Sequence, residues 1–350
     1  MYHNLMHDQK LRNLLLSAAG YILLWLAVPY VTALKNPQIA LPVLFVLTAA
    51  FMFAQLSITR WLTSLTISPL ASATILLASL VLWCTSVYLV SSPYAFYETK
   101  EAGIVPVRIN HGSPQKTANI NAVTVKTDKL GNAHFEKIRT VGRLRHADWN
   151  LRLAAFDLKA GRMRALTSLF MILAASAFGY LVSFILRHPN IVLPIAIFAP
   201  FIDIWTVLVG PTAHALKSHP HIVRSVSAAM PAIGGASAGF APISFIGPAD
   251  FIFLAMFLGA IYRYKMESVK TFWALYPTLT IIMAAVIAGP YLEKFGVPAP
   301  SKFPALLPMG IVVAAANRRH FKLTRDEWIA IMIVGIILIV TLAVVVPILR

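Results

Sequence analysis

The sequence predicts an all-α polytopic membrane protein, and its composition, its long apolar runs and the placement of its charges each indicate this fold class. Of its 350 residues, 58% are hydrophobic and 12% are charged, and the mean hydropathy is +0.73. Soluble globular domains carry about 25% charged residues. Such a chain is therefore expected to reside in a lipid bilayer.

Apolar stretches at nine places are long enough, or nearly long enough, to cross a bilayer, which takes about 20 helical residues. They cover residues 14–34, 39–56, 70–90, 165–186, 191–210, 245–262, 272–290, 303–316 and 328–349. The second is interrupted by Pro42 and the eighth is short. We expect about nine transmembrane helices.

These stretches divide the chain into three predicted parts: residues 1–90 with helices one to three, an extramembrane insertion at 91–164, and residues 165–350 with helices four to nine. In the insertion, two β-prone runs flank Gly131-Asn132, which predicts a hairpin. Residues 151–159 alternate apolar with charged side chains and predict a strand or an interfacial amphipathic segment. The insertion is thus expected to be small and partly β.

The formal net charge is +17, but the Lys and Arg residues lie in loops between the apolar stretches rather than in one basic domain. This distribution favours membrane topology over nucleic-acid binding. With a cytoplasmic N-terminus, eleven Lys and Arg residues of the short loops and ends lie on the cytoplasmic side and six on the other. The positive-inside rule favours that orientation, and we expect a multi-pass protein of a prokaryotic plasma membrane.

Among the thirteen acidic residues, only Asp203 and Asp250 lie inside long apolar stretches. An intramembrane carboxylate is costly and by default a candidate for function. Asp203 lies about twelve residues into its stretch, or roughly 18 Å along a helix. Asp250 follows a break at Gly247-Pro248, and exposed backbone at membrane depth implies a water-accessible cavity. The alternatives are a structural hydrogen bond for Asp203 and a helix N-cap for Asp250.

Two carboxylates held close together cannot both ionise cheaply, so the pair is expected to hold one proton between them. One can then act as a base toward water while the other protonates the carbonyl oxygen of a peptide. This chemistry needs neither metal nor cofactor. The single cysteine, Cys84, excludes an intrachain disulfide and a cysteine metal cluster.

Three motifs resemble, in the right order, the signatures of the presenilin and signal peptide peptidase family of intramembrane aspartyl proteases. They are the run from Asp203 to Pro211, Gly247-Pro-Ala-Asp250, and Pro304-Ala305-Leu306. The resemblance covers about residues 191–317. It implies a presenilin-like catalytic core, with Asp203 and Asp250 as the catalytic pair and Gly247 and Pro304-Ala305-Leu306 as substrate-positioning elements.

Two positions depart from the family pattern. Ile202 stands where the family usually has Tyr, and Ala249 replaces the second glycine of Gly-x-Gly-Asp. If that glycine position requires a positive φ or a very close helix approach, Ala249 would be strained there. The predicted helix order also differs, with one helix fewer before the aspartates and one more after the Pro-Ala-Leu segment.

Prolines suggest a role for the third motif without the resemblance. Pro304 and Pro308 interrupt the eighth stretch and would leave backbone groups unpaired. Such groups could accept an extended substrate by strand addition. The alternative is a simple proline kink.

The leading functional hypothesis is an intramembrane aspartic endopeptidase that cuts transmembrane segments of other membrane proteins, acting alone or as a homo-oligomer. The first alternative is an ion-coupled secondary transporter, since intramembrane carboxylates and broken helices also build ion sites. The second is an inactive relative that binds membrane helices without cutting them.

Overall fold

Helices dominate the fold, which we describe from a computed structural model. The structure describes residues 2–32, 37–99, 103–108, 121–127, 133–139, 143–145, 148–208, 210, 220–231, 242–293 and 304–349. Within them, six helices are long and apolar enough to cross a membrane, with these segments: Asp8–Val28, Phe45–Ser64, Pro69–Ser91, Met163–Ser183, Pro189–Thr206 and Ser268–Ala288. The chain is therefore a mainly helical, multi-pass membrane protein.

The helices, numbered along the chain, have the following bounds: α1 Tyr2–Thr32, α2 Pro37–Ser64, α3 Pro69–Ser91, α4 Trp149–Lys159, α5 Met163–Ser183, α6 Val192–Leu208, α7 Pro220–Val226, α8 Pro248–Arg263, α9 Ser268–Glu293, α10 Leu306–Asn317 and α11 Arg325–Leu349. Short 3₁₀ turns cover Pro189–Ile191 and Arg318–His320. Two compact units result, one of Met1–Trp83 with Gly161–Arg350 and the other of Cys84–Ala160.

The short helix α8 is the centre of the larger unit. It packs against α2, α5, α9 and α10 and buries nine of its sixteen residues. Its closest neighbour is α5, where Gly179 and Gly259 let the two helices approach. A β-carbon on Gly179 would lie 2.0 Å from the carbonyl oxygen of Ile252. Small residues at such contacts are the usual device of membrane helix pairs.

A β-hairpin precedes α8, and the sequence analysis did not predict it. Strands β6, Ala228–Pro231, and β7, Pro242–Ile246, pair antiparallel with Ala228 opposite Ile246. The expectation that a helical span begins at residue 245 is therefore wrong, because Phe245 and Ile246 close the hairpin and the helix starts at Pro248. Proline lacks an N–H and its fixed φ suits the first helical turn.

The smaller unit contains a three-stranded sheet in the order β2-β1-β5 and a separate hairpin of β3 and β4. The strands are β1 Tyr94–Thr99, β2 Gly103–Arg108, β3 Asn121–Thr127, β4 Ala133–Arg139 and β5 Arg143–Arg145. The predicted hairpin strands are confirmed, with Val125 opposite Phe135, whereas the predicted turn at Gly131-Asn132 lies outside the described residues. Residues 151–159 belong to helix α4, capped by Asp148, so the strand alternative is wrong.

Candidate active site

Asp203 lies on the face of α6 that packs against α10. Ala196, Pro200 and Asp203 are spaced i, i+4 and i+7, which places them on one side of a helix. Pro200 has no N–H, so the carbonyl of Ala196 loses its intrahelical partner. Gly310 of α10 packs on that carbonyl so closely that a β-carbon there would lie 2.0 Å from the Ala196 oxygen. This contact holds the two helices at short range.

The first residue of α10 completes the contact. The backbone N–H of Leu306 donates a hydrogen bond to Oδ2 of Asp203 at 3.3 Å. The amides of a first helical turn have no intrahelical acceptor, so the Leu306 amide is free for this bond. The first and third sequence motifs, about a hundred residues apart, therefore meet at a single hydrogen bond.

The far end of α10 is also fixed. Asn317 is fully buried, accepts a hydrogen bond from the Glu267 amide at 3.0 Å, and donates to the hydroxyl of Thr271 at 2.9 Å. Thr271 lies in the first turn of α9, and Glu267 is the residue just before that helix. Because α10 is tied at both ends, the position of its Leu306 amide is set by the fold.

Asp250 occupies the first turn of α8, and Gly247 is the N-cap of that helix. The N-cap interpretation of Asp250 is thus wrong. Its carboxyl group contacts the backbone N–H of Gly247, the reciprocal contact of a capping box. Gly247 has φ −65° and ψ 151°, which any residue adopts, and a β-carbon there would lie 3.7 Å from Oδ2 of Asp250. Gly247 thus places no side chain against the carboxyl group, where a β-carbon would make an ordinary van der Waals contact.

Asp203 lies close enough to Asp250 for its charge to act on the Asp250 carboxyl group. Both residues are partly buried. Asp203 is held by the backbone amide of Leu306, and the Asp250 carboxyl group lies near that of Gly247. The structure therefore brings the two aspartates together with the motifs at residues 247 and 306.

The two departures from the family pattern, Ala249 and Ile202, do not take part in the contacts of the two aspartates. Ala249 is within the first turn of α8, is exposed, and does not have a positive φ. The strain expected if the position required a positive φ or a close helix approach is therefore not present. Ile202 points out of the helix pack with 56% of its surface exposed.

Pro304 and Ala305 do not offer free carbonyl groups. The Pro304 carbonyl accepts a hydrogen bond from the Leu307 amide, and the Ala305 carbonyl accepts one from the Met309 amide, both at 3.3 Å. Pro308 is the third residue of α10, where an amide would have no helical acceptor. The expectation of unpaired backbone groups is therefore not met at the Pro304 and Ala305 carbonyls or at the Leu306 amide, which bonds to Asp203. The alternative of a proline kink is not met in residues 304–308, because Pro308 lies in the first turn of α10.

Sequence reasoning missed the contact between Gly310 and Ala196. Its signals were present as a proline three residues before Asp203 and a glycine four residues after Leu306. It also missed the β6–β7 hairpin, whose second strand carries alternating Ile243 and Phe245 before Gly-Pro. Among the described residues, no group of three or more His, Cys, Asp or Glu side chains is placed to hold a metal ion.

Comparisons of the chain with known protein families, with curated proteins and with solved structures found no match.

Proposed function

We propose that this protein is an intramembrane aspartic endopeptidase whose catalytic pair is Asp203 and Asp250. The observation that carries the proposal is that two aspartates from separate helices lie near enough for the charge of one to act on the other, while Asp203 accepts a hydrogen bond from a backbone amide. A cluster with only a structural task would not need a second carboxyl group at this position, since two like charges repel.

The reaction uses one proton shared by the pair. The ionised carboxylate takes a proton from a water molecule as the water oxygen attacks the carbonyl carbon of the scissile peptide. The protonated partner gives its proton to the carbonyl oxygen, which forms a tetrahedral intermediate. When the intermediate collapses, the C–N bond breaks, the amide nitrogen leaves with the proton from the first carboxyl group, and one hydroxyl of the intermediate returns a proton to the second carboxylate. The pair then again holds one proton, and apart from water and substrate every reacting group belongs to the two aspartates.

The substrates in this proposal are transmembrane segments of other membrane proteins. A helix in hydrocarbon has all its amides bonded internally, so its scissile bond becomes accessible only after local unwinding. Gly247, which has no side chain beside the Asp250 carboxyl group, is where an unwound segment would reach the aspartates. In this proposal the core at residues 191–317 belongs to a bundle of about nine membrane helices in a prokaryotic plasma membrane.

Cleavage of single-span reporter proteins by the purified chain in liposomes tests the proposal, with Asp203→Asn and Asp250→Asn beside the wild type. Each substitution removes a general acid or base, so we expect cleavage to fall about 100- to 10,000-fold. Asp8→Asn is the matched control, because Asp8 is exposed near the start of α1.

Two results would contradict the proposal. Reporter cleavage that survives both substitutions would assign the activity elsewhere in the chain. A well-folded wild type that cuts no reporter but drives ion flux abolished by the same substitutions would identify a transporter.

A further inference from the structure

A second site lies at the opposite end of the helices from the aspartates. A half-open cavity of about 200 Å³ is lined by the last turns of α2, α5 and α8 and by residues that follow α2 and α5. Asp250 is in the first turn of α8, whereas this cavity is at the last. Its volume is well above the roughly 30 Å³ that one water occupies, so it suits a small chemical group.

Arg263 is the charged residue of the cavity wall. One of its terminal nitrogens donates to the Ser183 carbonyl at 2.6 Å and the other to the Ser183 hydroxyl at 3.0 Å, while the guanidinium lies 4.0 Å from the Phe184 ring. A guanidinium has five N–H donors. Three are left after these bonds, and no carboxylate within the described part of the chain pairs with Arg263.

Further cations surround the same wall. Tyr262 lines the cavity, and its hydroxyl accepts a hydrogen bond from Nε of Arg60 at 3.2 Å. The Arg60 guanidinium stacks 4.3 Å from the Phe272 ring, which holds it in place. Lys10 donates to the Ser64 carbonyl at 2.7 Å, at the end of α2. Among the described residues that line the cavity, Arg263 is the one charged residue and none is acidic.

Backbone strain marks the same place. Thr66 lines the cavity with φ of 49°. A positive φ is rare for any residue with a β-carbon and exceptional for a β-branched one. Strain of this kind persists where the surroundings hold it and is enriched at ligand sites.

Exposed apolar residues follow two of the lining residues in the chain. Ile185, next to Phe184, has 73% of its surface exposed, and Leu70, three residues after Ile67, has 78% exposed. In a membrane protein such side chains contact acyl chains, and the ends of membrane helices lie at headgroup depth. A cationic cavity beside lipid-exposed apolar residues has the two features that a phospholipid requires.

We propose that this cavity binds the phosphate group of an anionic phospholipid, with Arg263 as its direct partner and Arg60 and Tyr262 as support. The acyl chains lie along the exposed apolar residues that flank the cavity. Because α8 carries Asp250 at its other end, the lipid clamps the helix that positions one of the two aspartates. The site does not depend on the proposed protease activity.

Native mass spectrometry of the full chain, delipidated in detergent, tests this proposal. Phosphatidylglycerol is compared with diacylglycerol of the same acyl chains, which lacks the phosphate, and with inorganic phosphate alone. We expect phosphatidylglycerol to be retained and to raise the thermal midpoint of unfolding, and the other two to do neither. Arg263→Gln should weaken phosphatidylglycerol binding about tenfold, since it removes the charged donor to the phosphate. Arg60→Gln should also weaken it, since it removes the donor that holds Tyr262 and a nearby positive charge.

Arg319→Gln is the matched control, because Arg319 is exposed and the same charge is lost. Arg60→Gln leaves the bonds between Arg263 and Ser183 in place, so it reports on binding even if Arg263→Gln does not fold. Equal retention of diacylglycerol, or an equal loss of binding in Arg319→Gln, would overturn the proposal. If inorganic phosphate raised the thermal midpoint of unfolding as much as the lipid does, the cavity would be assigned to a soluble anion and the proposal of a lipid site would be overturned.

Discussion

Asp203 combines a structural task with the chemical one proposed for it, and substitutions can separate the two. Its Oδ2 atom accepts the Leu306 amide. Asn keeps a carbonyl oxygen as acceptor, whereas Ala leaves a buried amide without one, at a cost of about 1–3 kcal/mol. We expect both Asp203→Asn and Asp203→Ala to lose cleavage, but only Asp203→Ala to lower the free energy of unfolding. Denaturant titration of both variants measures this difference, and equal stabilities would show that the hydrogen bond contributes nothing.

Ala249 stands where the family pattern has glycine, and a glycine would have no conformational advantage at this position. Its side chain is exposed and its backbone belongs to the first turn of α8. Ala249→Gly is therefore expected to lower the stability by about 0.5–1 kcal/mol, the usual difference between Gly and Ala in a helix, without raising the rate of reporter cleavage. Thermal unfolding and cleavage assays test this, with Ala78→Gly on α3 as a control at another exposed helical alanine. A large gain in cleavage for Ala249→Gly would instead indicate that Ala249 is strained in the working enzyme.

At the scale of whole elements, the contact between α6 and α10 determines whether Asp203 and Leu306 meet. A β-carbon on Gly310 would overlap the Ala196 carbonyl, so Gly310→Ala must push the helices apart. Overpacking of this kind costs about 1–3 kcal/mol, and we expect both stability and cleavage to fall. The comparison is with Gly335→Ala on α11, where no atom lies within 4 Å of the added carbon. That variant should keep its cleavage and its stability, since Ala favours a helix more than Gly does. An equal loss in both variants would show that the close contact at Gly310 is not responsible.

The elements that the sequence predicts well are those whose signal is local. Long apolar runs indicated membrane helices, and alternation around Gly131-Asn132 indicated the β3–β4 hairpin. Residues 245–246 were assigned to a helix because apolarity alone does not distinguish a buried strand from a helix. The pairing of β6 with β7 that decides the matter joins segments separated by ten residues and more.

The candidate site likewise has one part that a local sequence signal predicts and one part that depends on contacts between distant segments. Asp203 and Asp250 could be selected from the sequence because a carboxylate in an apolar run is rare. The bond from Leu306 to Asp203 could not, since it depends on a backbone amide whose position follows from the Gly310 contact and the Asn317 ties at the two ends of α10. The types of the residues do not reveal which backbone amides donate to a side chain, so only a structure can show these bonds.

For the whole molecule, the ends of the helices fall into two sets that predict an orientation. Helices α2, α5 and α8 end where α3 and α9 begin, and this end carries Arg60, Arg263 and Lys10. The opposite end carries Asp250 and Leu306, at the starts of α8 and α10. Because cytoplasmic loops are enriched in Lys and Arg, the basic end is expected to face the cytoplasm and the aspartates to lie nearer the other face.

Cysteine labelling in intact cells tests this orientation on a Cys84→Ser background, since Cys84 is the only native cysteine. A cysteine replacing the exposed His188, which follows α5, should react with a membrane-impermeant maleimide only after the cells are opened. One replacing Asn36, which lies between α1 and α2 in the chain, should react in intact cells. Neither substitution removes a Lys or Arg, so the charge difference that sets the orientation is preserved. The reverse labelling pattern would place the aspartates nearer the cytoplasm, and reporter substrates inserted in the opposite sense would then be the ones presented to them.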